Sequence, residues 1–255
     1  MKPVIKVLVL TWEFPPRIVG GIARHVGELY PALAAQQCEI HLLTVQFGDA
    51  LPHEWVEGIQ VHRVPVGESQ DFFDWVRRMN QVMRAYAEHV LIDQGDFDLI
   101  HAHDWLVGDC AIALKHQFKL PLVATIHATE YGRNQGIHNS IHRYVHEKEH
   151  LLAHEAWRVI VCTQFMSREV AQTFHAPTDK IDVIYNGIRA EKKHLAADCD
   201  WVAFRRRFAA DDEKIVYYVG RITYEKGIAQ LIDAIPAVIK QLCGKVKLVI
   251  VGGGN

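Results

Sequence analysis

The sequence lacks any C-x-x-C pair: its five cysteines, Cys38, Cys110, Cys162, Cys199 and Cys243, are far apart. That spacing indicates neither a zinc ribbon nor a disulfide framework, and it fits a reducing, cytoplasmic compartment. An excess of charge of one sign is also missing. With 28 Lys plus Arg against 30 Asp plus Glu, no global field favours nucleic acid or an anionic membrane, so anion binding must be local. Long apolar runs are absent too. The opening "MKPVIKVLVLTWEFPP" is interrupted by Lys6 and followed by no small-residue cleavage site, so it reads as a strand rather than a transmembrane helix or signal peptide.

What the chain has is length, a 49% hydrophobic composition and sixteen histidines. The first two allow a substantial core. Short β-branched runs ("VIKVLVL", "IHLLTV", "IQVHRV", "FDLIHAH", "LPLVATIH", "RVIVCT", "IDVIYNG") alternate with segments of helical period. Strand, helix, strand repeated this often predicts an α/β fold, a parallel sheet wrapped by helices, with chemistry at the carboxyl ends of the strands. The expected first domain covers residues 1–187. A charge-dense connection with a helical piece follows over 188–213. The pattern restarts over 214–255 as "KIVYYVG", a helix over Ile228–Gln241 and "VKLVIVGGG". Two strands and one helix cannot cover both faces of a parallel sheet, so the expectation is an incomplete second domain.

Three loops carry candidate chemistry. In "TWEFPPRIVGGIARH", Gly20 and Gly21 open a helix, where backbone N–H groups and the helix dipole suit a phosphate; a tight turn alone would also explain them. The spacing is not the dinucleotide fingerprint G-x-G-x-x-G. In "VGRITYEKG", Arg221 follows a strand and Lys226 precedes a helix, a forked donor and a point charge suited to a diphosphate. In "LPLVATIHATEYGR", His127 ends a strand and is followed by Glu130 and Tyr131. A histidine there can meet a substrate or cap local backbone. Asp104 in "HAHDW" is open to a helix-capping role.

These stretches, together with "VIYNGI" and "VGRITYEKGIAQLIDA", stand in the order and spacing of glycosyltransferase family 4, and the chain resembles its glycogen-synthase-like members over essentially its whole length. The resemblance implies a GT-B fold of two Rossmann-like domains and a retaining transfer of a sugar from a nucleotide-diphosphate donor to a glucan or other carbohydrate acceptor. It implies glucose on UDP or ADP, and no metal or other cofactor. On the same basis Gly20 and Gly21 contact the donor diphosphate, Arg221 and Lys226 neutralise the leaving diphosphate, and His127 is the catalytic histidine against the donor sugar. Asp104, Glu130 and Tyr131 then line the acceptor side. Where relatives carry K-T-G-G this chain has Ile18-Val19-Gly20-Gly21. The phosphate-reaching lysine is absent, Arg17 is its neighbour, and glucan elongation is disfavoured. Relatives also continue for about a hundred residues, one α/β domain's worth, so weak or no transfer is expected of residues 1–255 alone. A split enzyme would need a complementary C-terminal chain, and a non-catalytic fragment binding sugar or a partner is the alternative.

A remote alternative is a zinc hydrolase on "HEKEH", with His146 and His150 as ligands and Glu147 as base. The extended pattern fails, because Ala153 and Ala156 stand where glycine and histidine are wanted. At ~100° per residue, Ile141, Val145, Leu152 and Ala156 fall on one helix side. His142, His146, His150 and His154 form a stripe on the other, expected to face solvent or the cleft between domains.

Overall fold

Alternation along the first strand, β1 (Ile5–Leu10), sets the layers. Val7 and Val9 pack with Ile22, Val26 and Tyr30 of helix α1 (Gly21–Ala34). Leu8 and Leu10 pack on the other side with Met79 and Met83 of α2 (Phe72–Gln94) and Leu114 of α3 (Gly108–Phe118). Both faces of the strand are therefore covered, as a parallel sheet requires.

The computed structural model describes residues 4–189 and 199–253. Contacts divide the chain into two units, Met1–Ile188 and Arg189–Asn255. The first unit adds β2 (Cys38–Val45), β3 (His53–Val56), β4 (Ile59–Val64), β5 (Leu99–His103), β6 (Leu122–Ile126), β7 (Arg158–Val161) and β8 (Ile181–Val183). Its remaining helices are α4 (Glu130–Asn134), α5 (Ser140–Glu155) and α6 (Gln164–Thr173). The strand order is β3-β4-β2-β1-β5-β6-β7-β8. Every pairing is parallel except β3 with β4. The order reverses between β1 and β5, a topological switch point at whose carboxyl end a ligand crevice is expected.

Two short elements were not predicted. The β3 strand is four residues with polar His53 and Glu54, too brief to show a period, and it forms a hairpin through Glu57 and Gly58, both at positive φ. The α4 helix is a single turn capped by Thr129, whose hydroxyl accepts from the Gly132 N–H at 2.9 Å. In the second unit, α7 (Trp201–Arg206) falls in the charge-dense segment, and β9 (Lys214–Val219) pairs in parallel with β10 (Val246–Val251) across α8 (Ile228–Gln241).

Three of the many histidines stack at the β2-β4-β3 edge. His41 and His62 are stacked at 5.4 Å between ring centroids, and His53 covers His62 at 4.5 Å. The Tyr86 hydroxyl lies 2.9 Å from His62 Nδ1, and His41 Nδ1 lies 3.2 Å from His62 Nε2. Burial, reinforced by His53 and His41, lowers His62 from 6.5 to about 4. Between those values the unfolded chain takes a proton that the folded chain refuses, so stability is full above pH 6.5 and falls as pH drops toward 4. Replacing His62→Phe is expected to flatten that decline by up to ~1.4 kcal/mol per pH unit. Urea unfolding at several pH values would measure it, and an unchanged slope would show that His62 does not titrate with folding.

Candidate functional site

The H-x-H of β5 explains the site. Because side chains alternate across a strand, Ile100 and Ala102 enter the apolar core, while His101 and His103 both turn to the α1 side. On α1, Val26 and Tyr30 lie one turn apart on the face packed to the sheet, and the ring of His25 reaches those of His103 and His127 at 5.4 and 4.8 Å between centroids. The buried Tyr30 hydroxyl lies 2.9 Å from His101 Nδ1 and 2.6 Å from His103 Nε2. His101 Nε2 meets Thr125 Oγ1 of β6 at 2.8 Å, and His103 Nδ1 meets His127 Nε2 at 3.0 Å. Thr125, His101, Tyr30, His103 and His127 thus form one hydrogen-bonded relay, buried up to the half-buried His127.

A neutral imidazole carries one proton, so the relay can run in two senses. If His101 donates to Thr125, Tyr30 donates to His101, His103 donates to Tyr30 and His127 Nε2 donates to His103. Reversing every bond leaves His127 with its proton on Nδ1. Burial keeps the rings neutral: His127 falls from 6.5 to about 4 and His101 to about 3, and His103 is held well below the usual value.

Asp104 anchors the end of the relay. Its backbone has φ 59° and ψ 171°, a region disfavoured for a side chain with a Cβ. It is held there by its N–H to Thr125 O at 3.0 Å and by Oδ1, which accepts from the His127 N–H at 2.8 Å. The side chain makes no cap to the turn that follows. Burial raises its carboxyl from 3.8 to about 6. Asp104 therefore positions the His127 backbone.

The other expected residues are placed as follows. The Gly20 N–H donates to Glu13 Oε2 at 2.8 Å and the Val19 N–H to the same oxygen at 2.5 Å. A buried carboxylate thus occupies the loop assigned to a diphosphate, which would have to compete with it for the Gly20 N–H. Gly21 begins α1, and a Cβ there would meet nothing within 4 Å. Arg17, beside the missing lysine position, lies over the rings of Trp12, Trp75 and Phe47 at 5.5, 5.4 and 5.9 Å. Arg221 and Lys226 lie exposed in the β9–α8 loop of the second unit. Glu130 pairs with Arg133 at 3.4 Å and accepts from Asn134 Nδ2 at 2.9 Å. Tyr131 is exposed and lines a cavity of about 580 Å³ with His146, Phe165 and Glu169.

On the "HEKEH" helix the packed side differs from the one expected. Ile141 is 56% exposed rather than on the packed side, whereas His146 packs on Phe174 at 5.2 Å between ring centroids. The stripe is therefore not uniformly turned away from the protein. His146 and His150 join no group of three potential metal ligands among the described residues. The acid that matters locally is Glu149, which is buried. It accepts from the Glu130 N–H at 3.0 and 2.8 Å and from Arg133 at 2.9 Å, holding the turn after His127, and burial raises it from 4.5 to about 8.

Sequence reasoning did not single out His25, Tyr30, Glu13, Glu149 or Asn186. His25 Nδ1 lies 2.9 Å from Asn186 Oδ1, which also accepts from Cys162 Sγ at 3.3 Å. Only the H-x-H spacing on a strand could have signalled that two imidazoles share a face with α1.

Residues 19–192 match the family model described as Glycosyltransferase Family 4, and residues 201–255 match Glycosyl transferases group 1. An uncharacterised glycosyltransferase of Methanocaldococcus jannaschii is 36% identical over 255 residues, covering 98% of this chain and 64% of the relative. A glycogen synthase of Mycobacterium tuberculosis is 34% identical over 250 residues, covering 91% of this chain and 58% of the relative. The chain thus spans less than two thirds of the length of these curated relatives. The catalytic domain of starch synthase IV from Arabidopsis thaliana, solved bound to ADP and acarbose, superposes with a TM-score of 0.74 at 16% identity, covering 99% of this chain and 69% of that one. At that identity the likeness speaks for the fold, which is the GT-B type expected.

Proposed function

Since the chain belongs to glycosyltransferase family 4, we propose that it serves a retaining transfer of a hexose from a nucleotide-diphosphate donor to a carbohydrate acceptor, with His127 against the donor sugar. The observation that carries the assignment of His127 is its place at the end of the relay and over the strained Asp104, at the carboxyl end of β6. Such a buried arrangement spends backbone strain and polar burial on fixing one side chain, which is characteristic of a reacting centre. In this reading His127 orients the hexose and stabilises the oxocarbenium-like centre as the nucleotide leaves. Arg221 and Lys226 supply cations to the departing diphosphate, and Gly20 and Gly21 offer backbone N–H groups to it once Glu13 yields. Glu130 and Tyr131 stand on the acceptor side, with Asp104 positioning His127. The mycobacterial glycogen synthase relative favours glucose and a glucan-type acceptor, while Ile18 and Val19 in place of lysine and threonine favour an acceptor other than a growing glycogen chain.

The test uses the protein expressed from its complete reading frame with UDP-glucose, ADP-glucose and other nucleotide sugars, each with and without maltooligosaccharides and simpler hexoses. Acceptor-dependent release of nucleoside diphosphate, with the donor's anomeric configuration kept in the product, is expected. Failure to bind or turn over any nucleotide sugar would overturn the reading.

A further inference from the structure

We infer that His25, His103 and His127 form a three-imidazole site for a divalent transition-metal ion of the Zn²⁺ type, placed so that the ion and a ligand held by His127 exclude one another. The ion site stands independently of the transferase reading, whereas its exclusion of a donor sugar rests on it.

Among the described residues, these three side chains are the group whose ligand atoms all lie within 4.8 Å of one another. His103 Nδ1 and His127 Nε2 are 3.0 Å apart, and the ring of His25 stands edge-on to that of His127 at 4.8 Å between centroids. Two nitrogens each bound to a tetrahedral Zn²⁺ at 2.0–2.1 Å are about 3.4 Å apart, so modest ring adjustment closes the site.

The surrounding hydrogen bonds select the right nitrogens. A carboxamide oxygen only accepts, so Asn186 Oδ1 puts the proton of His25 on Nδ1 and the lone pair on Nε2. That Nε2 is buried and has no hydrogen-bond partner. Buried polar nitrogens are seldom left so, and an ion would satisfy this one. Tyr30 holds Nε2 of His103, leaving Nδ1 for the ion. In the relay sense that ends with His103 donating to Tyr30, His103 Nδ1 already carries a lone pair. His127 then needs only to move its proton from Nε2 to Nδ1, and no proton leaves the site. Partners on the non-ligating nitrogens are the arrangement that orients metal-binding imidazoles. Three protein ligands leave a fourth position for water.

The test is titration of chelator-treated protein with Co²⁺, read by its visible absorption, followed by displacement with Zn²⁺. One ion per chain in a low-coordinate environment is expected. His25→Ala should abolish the signal, and Asn186→Ala, at an exposed position, should weaken binding about 10-fold or more. His150→Ala with His154→Ala should leave binding intact. Far-ultraviolet dichroism confirms that each variant folds. Binding that survives His25→Ala, or that vanishes with the His150 and His154 changes, would overturn the site and assign the ion to the exposed α5 stripe. Zn²⁺ should also weaken nucleotide-sugar binding in the parent protein and not in His25→Ala. If Co²⁺ binds at the three histidines while donor binding is indifferent to Zn²⁺, the exclusion is wrong and the ion site stands. If no donor binds at all, the transferase reading fails and the ion titration still decides the site.

Discussion

Tyr30→Phe is expected to destabilise the protein by about 2–5 kcal/mol, far more than removing one oxygen suggests. The change leaves the ring and its packing with Val26 and Ile40 in place, so cavity formation contributes little. What is lost is the shared partner of two buried imidazoles, at 2.9 and 2.6 Å. Each buried polar atom left unsatisfied costs about 1–3 kcal/mol. Water cannot readily replace the hydroxyl, because Tyr30 and His103 are both 0% exposed. Urea unfolding at pH 7.5 measures the loss. A double-mutant cycle with His101→Leu separates the relay from simple packing: removing the imidazole takes away one of the stranded nitrogens, so the two losses should be clearly non-additive. A loss below 1 kcal/mol, or additive effects, would show that the relay does not hold the α1 helix to β5.

Much of the fold was legible because its dominant signals are periodic. Strands such as Ile5–Leu10 and Leu99–His103 are short apolar runs ended by loops, and the helices between them keep their apolar face at helical spacing. The hairpin strand His53–Val56 and the single-turn helix Glu130–Asn134 escaped because neither is long enough to establish a period. Of the candidate site, the sequence singled out only residues at strand ends, such as His127. Its supports are buried polar residues whose partners lie 71–73 residues away in the chain for Tyr30 and 19 residues away for Glu149. No local spacing announces such pairs. Glu149 was hidden inside a metal-like spelling, and the histidine excess has a partial physical account in two clusters of packed rings, His41-His53-His62 and His25-His101-His103-His127.

His127→Ala should reduce sugar transfer by about 10²–10³-fold in kcat, the usual consequence of removing one preorganised polar group from a centre of developing charge. The expectation is a kcat effect because the imidazole is held ready by groups that do not themselves depend on substrate. Its Nε2 is tied to His103 at 3.0 Å and its backbone N–H to Asp104 at 2.8 Å, so little reorganisation is left for the reaction itself. The donor's diphosphate is bound by other residues in the proposed arrangement, and KM for the nucleotide sugar should therefore change by only a few-fold. The neutral state of the ring matters as well. Burial holds His127 near 4, so at pH 6–8 it acts through its dipole and one proton rather than as a cation, and the His127-dependent part of the rate should be flat across that range. Transfer assays on parent and variant proteins from pH 6 to 8 measure both effects. If His127→Ala raised KM alone with kcat intact, the side chain would serve binding only, and the acceleration would have to come from other groups.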